Sequence, residues 1–101
     1  MVELRQHQRT QVDIEVEFEI KGSKERRVGR ATDVSLGGMF VRSAAPPGFS
    51  TEVIVYFRVR GHRGPLAIPG VVRWTRGDGM GIQFGLLGAR ETFAITELSK
   101  G

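Results

Sequence analysis

Two short stretches of this chain carry residues that can do chemistry. They are Arg5-Gln-His-Gln-Arg9 near the start and Thr32-Asp33-Val34-Ser35-Leu36-Gly37-Gly38 further along. An arginine fork binds a phosphate bidentately, grips the O6 and N7 edge of guanine, and stacks on a flat purine. A carboxylate such as Asp33 accepts from a guanine's N1–H and N2–H₂, and Ser35 adds a hydroxyl. At Gly37 and Gly38 no Cβ obstructs the backbone, so its amides can approach a ligand closely. The same residues also suit an ordinary turn, in which Asp and Ser side chains cap nearby amides and Gly supplies positive φ. By residue type alone, turn and pocket both stay open.

A second arginine pair, Arg26 and Arg30, shares the four-residue spacing of Arg5 and Arg9. Its context differs. Arg26 and Arg30 fall in a strand-like stretch, project to one face, and read as a solvated stripe. Arg5 and Arg9 lie in a polar, glycine-free arm without apolar period, and an arm with two forks can close over a ligand.

Catalytic chemistry finds little support. His7 and His62 are far apart in sequence and neither stands in a metal-ligand spacing, and cysteine is absent. The glutamates near the start alternate with apolar residues and form a wet face rather than an acid–base pair. "GDGMG" precedes no helix, as a phosphate-binding glycine loop would require. Arg76-Gly77-Asp78 reads as a hairpin tip. The expectation is a protein that is not an enzyme and holds no metal and no cofactor.

The chain of 101 residues has room for one compact domain. Its net charge is +4, with twelve arginines against three lysines, so a nucleotide or nucleic acid partner deserves testing beside simple base-composition bias. No apolar run is long enough for a membrane helix, and the N-terminus lacks a signal peptide's apolar core. A cytoplasmic location without membrane insertion is the expectation.

These residues must be positioned by strands. "VDIEVEFEI" alternates throughout, with Val12, Ile14, Val16, Phe18 and Ile20 opposite Asp13, Glu15, Glu17 and Glu19. "ERRVGRATDVS" reads as the returning strand, "MFVRS" as a short third and "EVIVYFRVR" as a fourth. "LAIPGVVRW" carries Pro69 and Gly70, which predicts an edge or a bulge. "RGDG" marks a hairpin, and "MGIQFG" follows as the last strand. The tail changes period, and Leu87, Ala94 and Leu98, joined by Phe93, share one helical face. Six short strands and a helix predict a small antiparallel barrel or sandwich plugged by that helix.

Arg5-x-x-x-Arg9 followed by Asp33-x-Ser35-x-x-Gly38 resembles the PilZ family of cyclic di-GMP receptors. "GVVRW" and "GMGIQF" are similar to that family's later strands, and the closing helix stands in the expected place. The resemblance covers essentially the whole chain. It implies an all-β fold, a six-stranded antiparallel β-barrel with a C-terminal α-helix and a flexible N-terminal arm. The expected organisation is an arm over residues 1–11, a barrel over 12–85 and a helix over 87–99. Carried over residue by residue, Arg5 and Arg9 grip guanine edges and phosphates and stack on bases. Asp33 and Ser35 read a guanine edge or phosphate, while Gly37 and Gly38 permit close approach. One departure is that the arm enters "TQVDIEV" without the proline often seen there. The implied function is a bacterial second-messenger receptor that passes its signal to an unidentified downstream protein through closure of the arm.

Two other readings compete. A small basic β-barrel binding single-stranded nucleic acid places aromatics on an exposed sheet face. Here Phe18, Phe40, Phe57 and Phe84 fall on strand-inward positions, which favours a core, and Trp74 and Tyr56 are the exceptions. A PilZ-like adaptor that binds no nucleotide would be favoured by a degraded motif, and both motifs are intact.

Overall fold

A computed structural model describes residues 9–99 of the chain. In chain order the elements are β1 (Thr10–Ile20), β2 (Arg26–Val34), β3 (Gly38–Arg42), β4 (Glu52–Phe57), β5 (Leu66–Arg76), β6 (Gly79–Phe84) and α1 (Ala89–Ser99). All six strands close into one antiparallel barrel in the order β1-β2-β3-β6-β5-β4.

Strand alternation explains the closure. Val16 and Phe18 of β1, Val53, Val55 and Phe57 of β4, and Leu66, Ile68 and Val72 of β5 all turn inward and are buried. Each leaves a polar or small neighbour on the outer wall. The helix closes one end of this core through Ala94 and Ile95, both fully buried, with Leu87 and Leu98 packed against it. Ile95, rather than Phe93, completes the apolar stripe. Phe93 is 58% exposed, because a helix of 3.6 residues per turn carries it to the flank of the Ala94–Leu98 face. The helix begins at Ala89, two residues after Leu87.

Two further differences from the sequence reading concern strand limits. The first strand reaches back to Thr10, so Thr10 and Gln11 pair with Val34 and Asp33 rather than belonging to an arm. The fourth strand stops at Phe57, and Arg58-Val59-Arg60 enters the connection to β5. Pro69 lies on no edge, since the barrel is closed. It sits opposite Ile54, and its carbonyl accepts from Gly85 N–H.

Three register shifts interrupt the ladders, between Gln11 and Ile14, Ala31 and Asp33, and Val72 and Trp74. The last two have a definite consequence. Ala31 and Val72 face the core, so unbroken alternation would turn Asp33 and Trp74 inward as well. One extra residue, Thr32 in β2 and Arg73 in β5, reverses the phase and turns both side chains out.

On the outer wall, Tyr56 O–H donates to Glu19 Oε1 at 2.9 Å, and the Arg26 guanidinium lies 3.7 Å from the Tyr56 ring centroid. The hydrogen bond to Glu19, followed by burial, holds the phenol above its ordinary pKa by favouring the neutral form. Glu19→Gln removes the charged acceptor, so ultraviolet titration of this single tyrosine should show its pKa falling toward the usual value. An unchanged titration would show that the bond is not formed in solution. A second expected outcome concerns β3 and β6, where a Cβ on Gly38 would run into the Ile82 carbonyl oxygen. Gly38→Ala should cost about 3 kcal/mol in urea denaturation, since backbone must move to admit the methyl group.

Candidate functional site

The two stretches singled out by their chemistry meet on one outer wall. Arg9, immediately before β1, donates to Asp33 Oδ1 through Nε at 3.0 Å and Nη2 at 2.5 Å. Both side chains remain about a third exposed, so the pair faces solvent and any arriving ligand. Arg5 lies outside the described residues.

Asp33 heads a row that runs straight across the wall. Gln11 pairs with Asp33, Asp33 with Phe40, Phe40 with Gly81, and Gly81 with Trp74. Register partners point to the same side of a sheet, so these side chains share the outer face. Phe40 therefore stands outside, contrary to the inward position read from sequence, because its neighbours Met39 and Val41 take the core. It is nonetheless buried, since the Trp74 indole stacks on it at 5.1 Å between centroids and 25° between planes. Arg76 lies over both rings, at 5.3 Å from Phe40 and 5.7 Å from Trp74. Glycine makes this possible. A Cβ on Gly81 would meet the indole and one on Gly79 the Phe40 ring. The outcome is a flat aromatic platform with a 45% exposed indole and a guanidinium beside it.

The adjacent row adds charge. Glu15 pairs with Arg30, Arg30 with Arg42, Arg42 with Gly79, and Gly79 with Arg76. A shallow cleft of about 520 Å³ opens here, with Arg30, Arg42 and Asp78 on its walls. Arg30 donates to Asp13 and Arg42 to Asp78, both at 2.6 Å. The bond from Arg42 holds the Asp78 carboxyl below its ordinary pKa. Arg26, by contrast, pairs with Glu17 at 3.1 Å and stacks on Tyr56.

The turn between β2 and β3 is built by its own residues. Ser35 is 2% exposed, and its Oγ accepts from Gly37 N–H at 3.1 Å. Ser35 and Gly38 exchange backbone hydrogen bonds, and Gly37's carbonyl accepts from Phe84 N–H at 2.8 Å. Ser35 thus caps the turn, and Gly38 lets β3 lie against β6. The turn reading and the site reading share residues here, because the same cap that orders the loop holds Asp33 in place.

Sequence reasoning assigned the Arg9 and Asp33 side chains that meet, and missed Phe40, Arg42 and Arg76. The available signal was "GDGMG", whose glycines at 79 and 81 leave room for rings on the neighbouring strands. Among the described residues no cluster of His, Asp and Glu could hold a metal ion, and no helix is long and apolar enough to cross a membrane.

Comparison with solved structures finds the same barrel elsewhere. The PilZ domain of CeSA from a cellulose-synthesising bacterium superposes with a TM-score of 0.75 at 20% identity, over 93% of this chain and 96% of that one. The Escherichia coli YcgR PilZ domain, solved with cyclic di-GMP, gives 0.77 at 12% identity, over 97% and 90%. Bacillus subtilis MotI, an inhibitor of motility, gives 0.81 at 18% identity, over 98% of this chain and 51% of that one. This chain therefore spans about half of MotI's length. No curated protein sequence matches it. The sequence profile of the PilZ domain matches residues 3–96. This chain belongs to the PilZ domain family.

Proposed function

We propose that this chain is a cyclic di-GMP receptor that binds its ligand across the Asp33–Trp74 wall and signals to another protein. The observation that carries the reading is the meeting of Arg9 with Asp33 at one end of an aromatic row. A guanine base offers two N–H donors to Asp33 and a flat face to the Trp74 platform, while its phosphates suit Arg9, Arg76 and Arg42. The YcgR PilZ domain, with the same barrel, was solved with this dinucleotide. A single-stranded nucleic acid would need several exposed stacking faces in series, and this wall presents one.

The mechanism is an exchange of partners. Without ligand, Arg9 and Asp33 satisfy each other, and at this exposure the pair is worth about 1 kcal/mol or less. A guanine edge replaces Arg9 on Asp33, and the freed fork turns to a phosphate or to the O6 and N7 edge. Each such contact contributes about 1–3 kcal/mol, so the exchange favours the ligand. Arg5, four residues earlier, joins Arg9 on the ligand, and the segment carrying both closes over it. Ser35, Gly37 and Gly38 act through the turn that holds Asp33.

Titration calorimetry with cyclic di-GMP, GTP and a short oligonucleotide should give saturable binding with the first alone. The single tryptophan reports the platform directly, and its emission should be quenched as guanine stacks on it. Arg5→Ala, Arg9→Ala or Asp33→Ala should weaken binding by about ten- to a hundredfold. Arg26→Ala, held by Glu17 and Tyr56, should change it only a few-fold. Tight oligonucleotide binding without dinucleotide binding would overturn the receptor reading. Arm closure has its own test, in which saturating ligand should slow tryptic cleavage after Arg5. Equal cleavage rates with and without ligand would remove closure from the mechanism while leaving the binding site intact.

A further inference from the structure

The wall that carries Asp33 holds a second exposed carboxylate in an arginine's grip. Asp78 stands at the tip joining β5 and β6, and its Oδ2 accepts from Arg42 Nη2 at 2.6 Å. The backbone fixes the tip as well, since the Asp78 carbonyl accepts from Ser43 N–H at 2.8 Å. Arg42 follows Phe40 by two residues in β3, and Arg76 follows Trp74 by two in β5, so all four side chains share the outer face. Arginine-held carboxylates thus stand on two sides of one aromatic platform. Arg9 with Asp33 meets it across the strands, and Arg42 with Asp78 along them.

The cleft of about 520 Å³ opens beside this second pair. Arg30, Arg42 and Asp78 supply its charged lining, and the exposed Val28 with Ala44 its apolar one. Arg30 bonds Asp13 through Nε, which leaves its terminal N–H groups for the cleft. Glu15 borders the cleft too. Asp78 is the better placed acceptor, because its shorter side chain loses less rotamer freedom and its backbone is tied to Ser43.

We infer, resting on the receptor reading above, that this cleft is the subsite for the second guanine of cyclic di-GMP and that Asp78 reads it. The dinucleotide carries two identical bases joined through two phosphates, so a wall that recognises both needs one carboxylate for each base and cations between them. Asp78 accepts from N1–H and N2–H₂, as Asp33 does for the first base, and Arg30 takes O6 and N7. Arg42, released from Asp78, turns with Arg76 to the phosphates. Arg76 has no carboxylate within 4.0 Å among the described residues, so its charge meets the phosphates without competition. Adenine is rejected here. It presents a lone pair at N1 where guanine presents N1–H, which a carboxylate repels and an amide accommodates.

The test is titration calorimetry of the intact chain with cyclic di-GMP and with cyclic GMP–AMP, in which adenine replaces one guanine. The unaltered chain should prefer cyclic di-GMP by at least about tenfold. Asp78→Asn should bring that ratio to within a few-fold, while either ligand still quenches Trp74 because the first guanine keeps its platform. Glu52→Gln, which breaks the pair with Lys21, should leave the ratio unchanged. An unchanged ratio in Asp78→Asn would overturn the inference, as would equal gains for both ligands, the result expected if Asp78 only neutralises Arg42. So would a ratio that falls in Glu15→Gln instead. Equal affinities for the two ligands in the unaltered chain would remove the second subsite and leave the receptor reading standing, whereas no binding of cyclic di-GMP would remove both.

Discussion

One extra residue in each of two strands decides what the outer wall of this barrel can do. A strand of a closed barrel must give every second side chain to the core, and nothing on the perfect ladder can change that assignment. Ala31 and Val72 are fully buried, so the phase they set would carry Asp33 and Trp74 into the interior. A carboxylate there would lose its hydration without a partner. The register shifts after Ala31 and Val72 reverse the phase and bring the carboxylate and the indole to one exposed row. A third shift, between Gln11 and Ile14, falls where β1 meets the same row and where Arg9 enters it. Bulges re-aim side chains next to functional sites, and here three of them bracket one.

The rest of the wall adapts to that row. An indole lying flat on an antiparallel sheet needs a strand without side chains beneath it, which Gly79 and Gly81 provide. Phe40 is then buried from outside by Trp74 and Arg76 instead of by the core. Stacking fixes the indole face outward at little entropic cost, since an aromatic side chain has few rotatable bonds. On the other flank, Ser35's hydroxyl and the paired bonds between Ser35 and Gly38 close the turn next to Asp33. The carboxylate is therefore presented from a closed turn, and Arg9 meets it from the residue before β1.

Much of this was legible in the sequence. Faultless alternation in Val12–Ile20 and the hairpin at Gly77 are local signals, and they gave the strands and the antiparallel order. The spacing of Arg5 and Arg9, and of Asp33 and Ser35, drew attention to residues of which Arg9 and Asp33 proved to be in contact. What alternation could not show is where it breaks. A bulge leaves no reliable local mark, so Phe40 was read as core and Trp74 stayed an exception without a partner. Phe93 was misplaced for a related reason. It lies next to Ala94 and Ile95 in sequence, and only the barrel's geometry decides which flank of the helix is covered. Ser35's hydroxyl caps the turn, and a cap and a ligand contact require the same chemistry.

Charge shapes what the wall can bind as much as the bulges do. On the wall, Arg42 and Arg30 are each balanced by a carboxylate at 2.6 Å, so they stay oriented without leaving the platform overwhelmingly positive. An anion arriving there competes for arginines already partnered, and that competition makes recognition depend on several simultaneous contacts. Arg76, over the two rings, has no carboxylate partner among the described residues and is the arginine of the platform that an anion reaches without competition. A barrel is stiff in cross-section because every strand is paired on both sides, so an event on one wall reaches the other end poorly through the sheet itself. Arg9, the residue before β1, stands just outside that closed ladder. In the receptor reading, the exchange of Arg9 from Asp33 to a ligand is a change the closed ladder does not oppose.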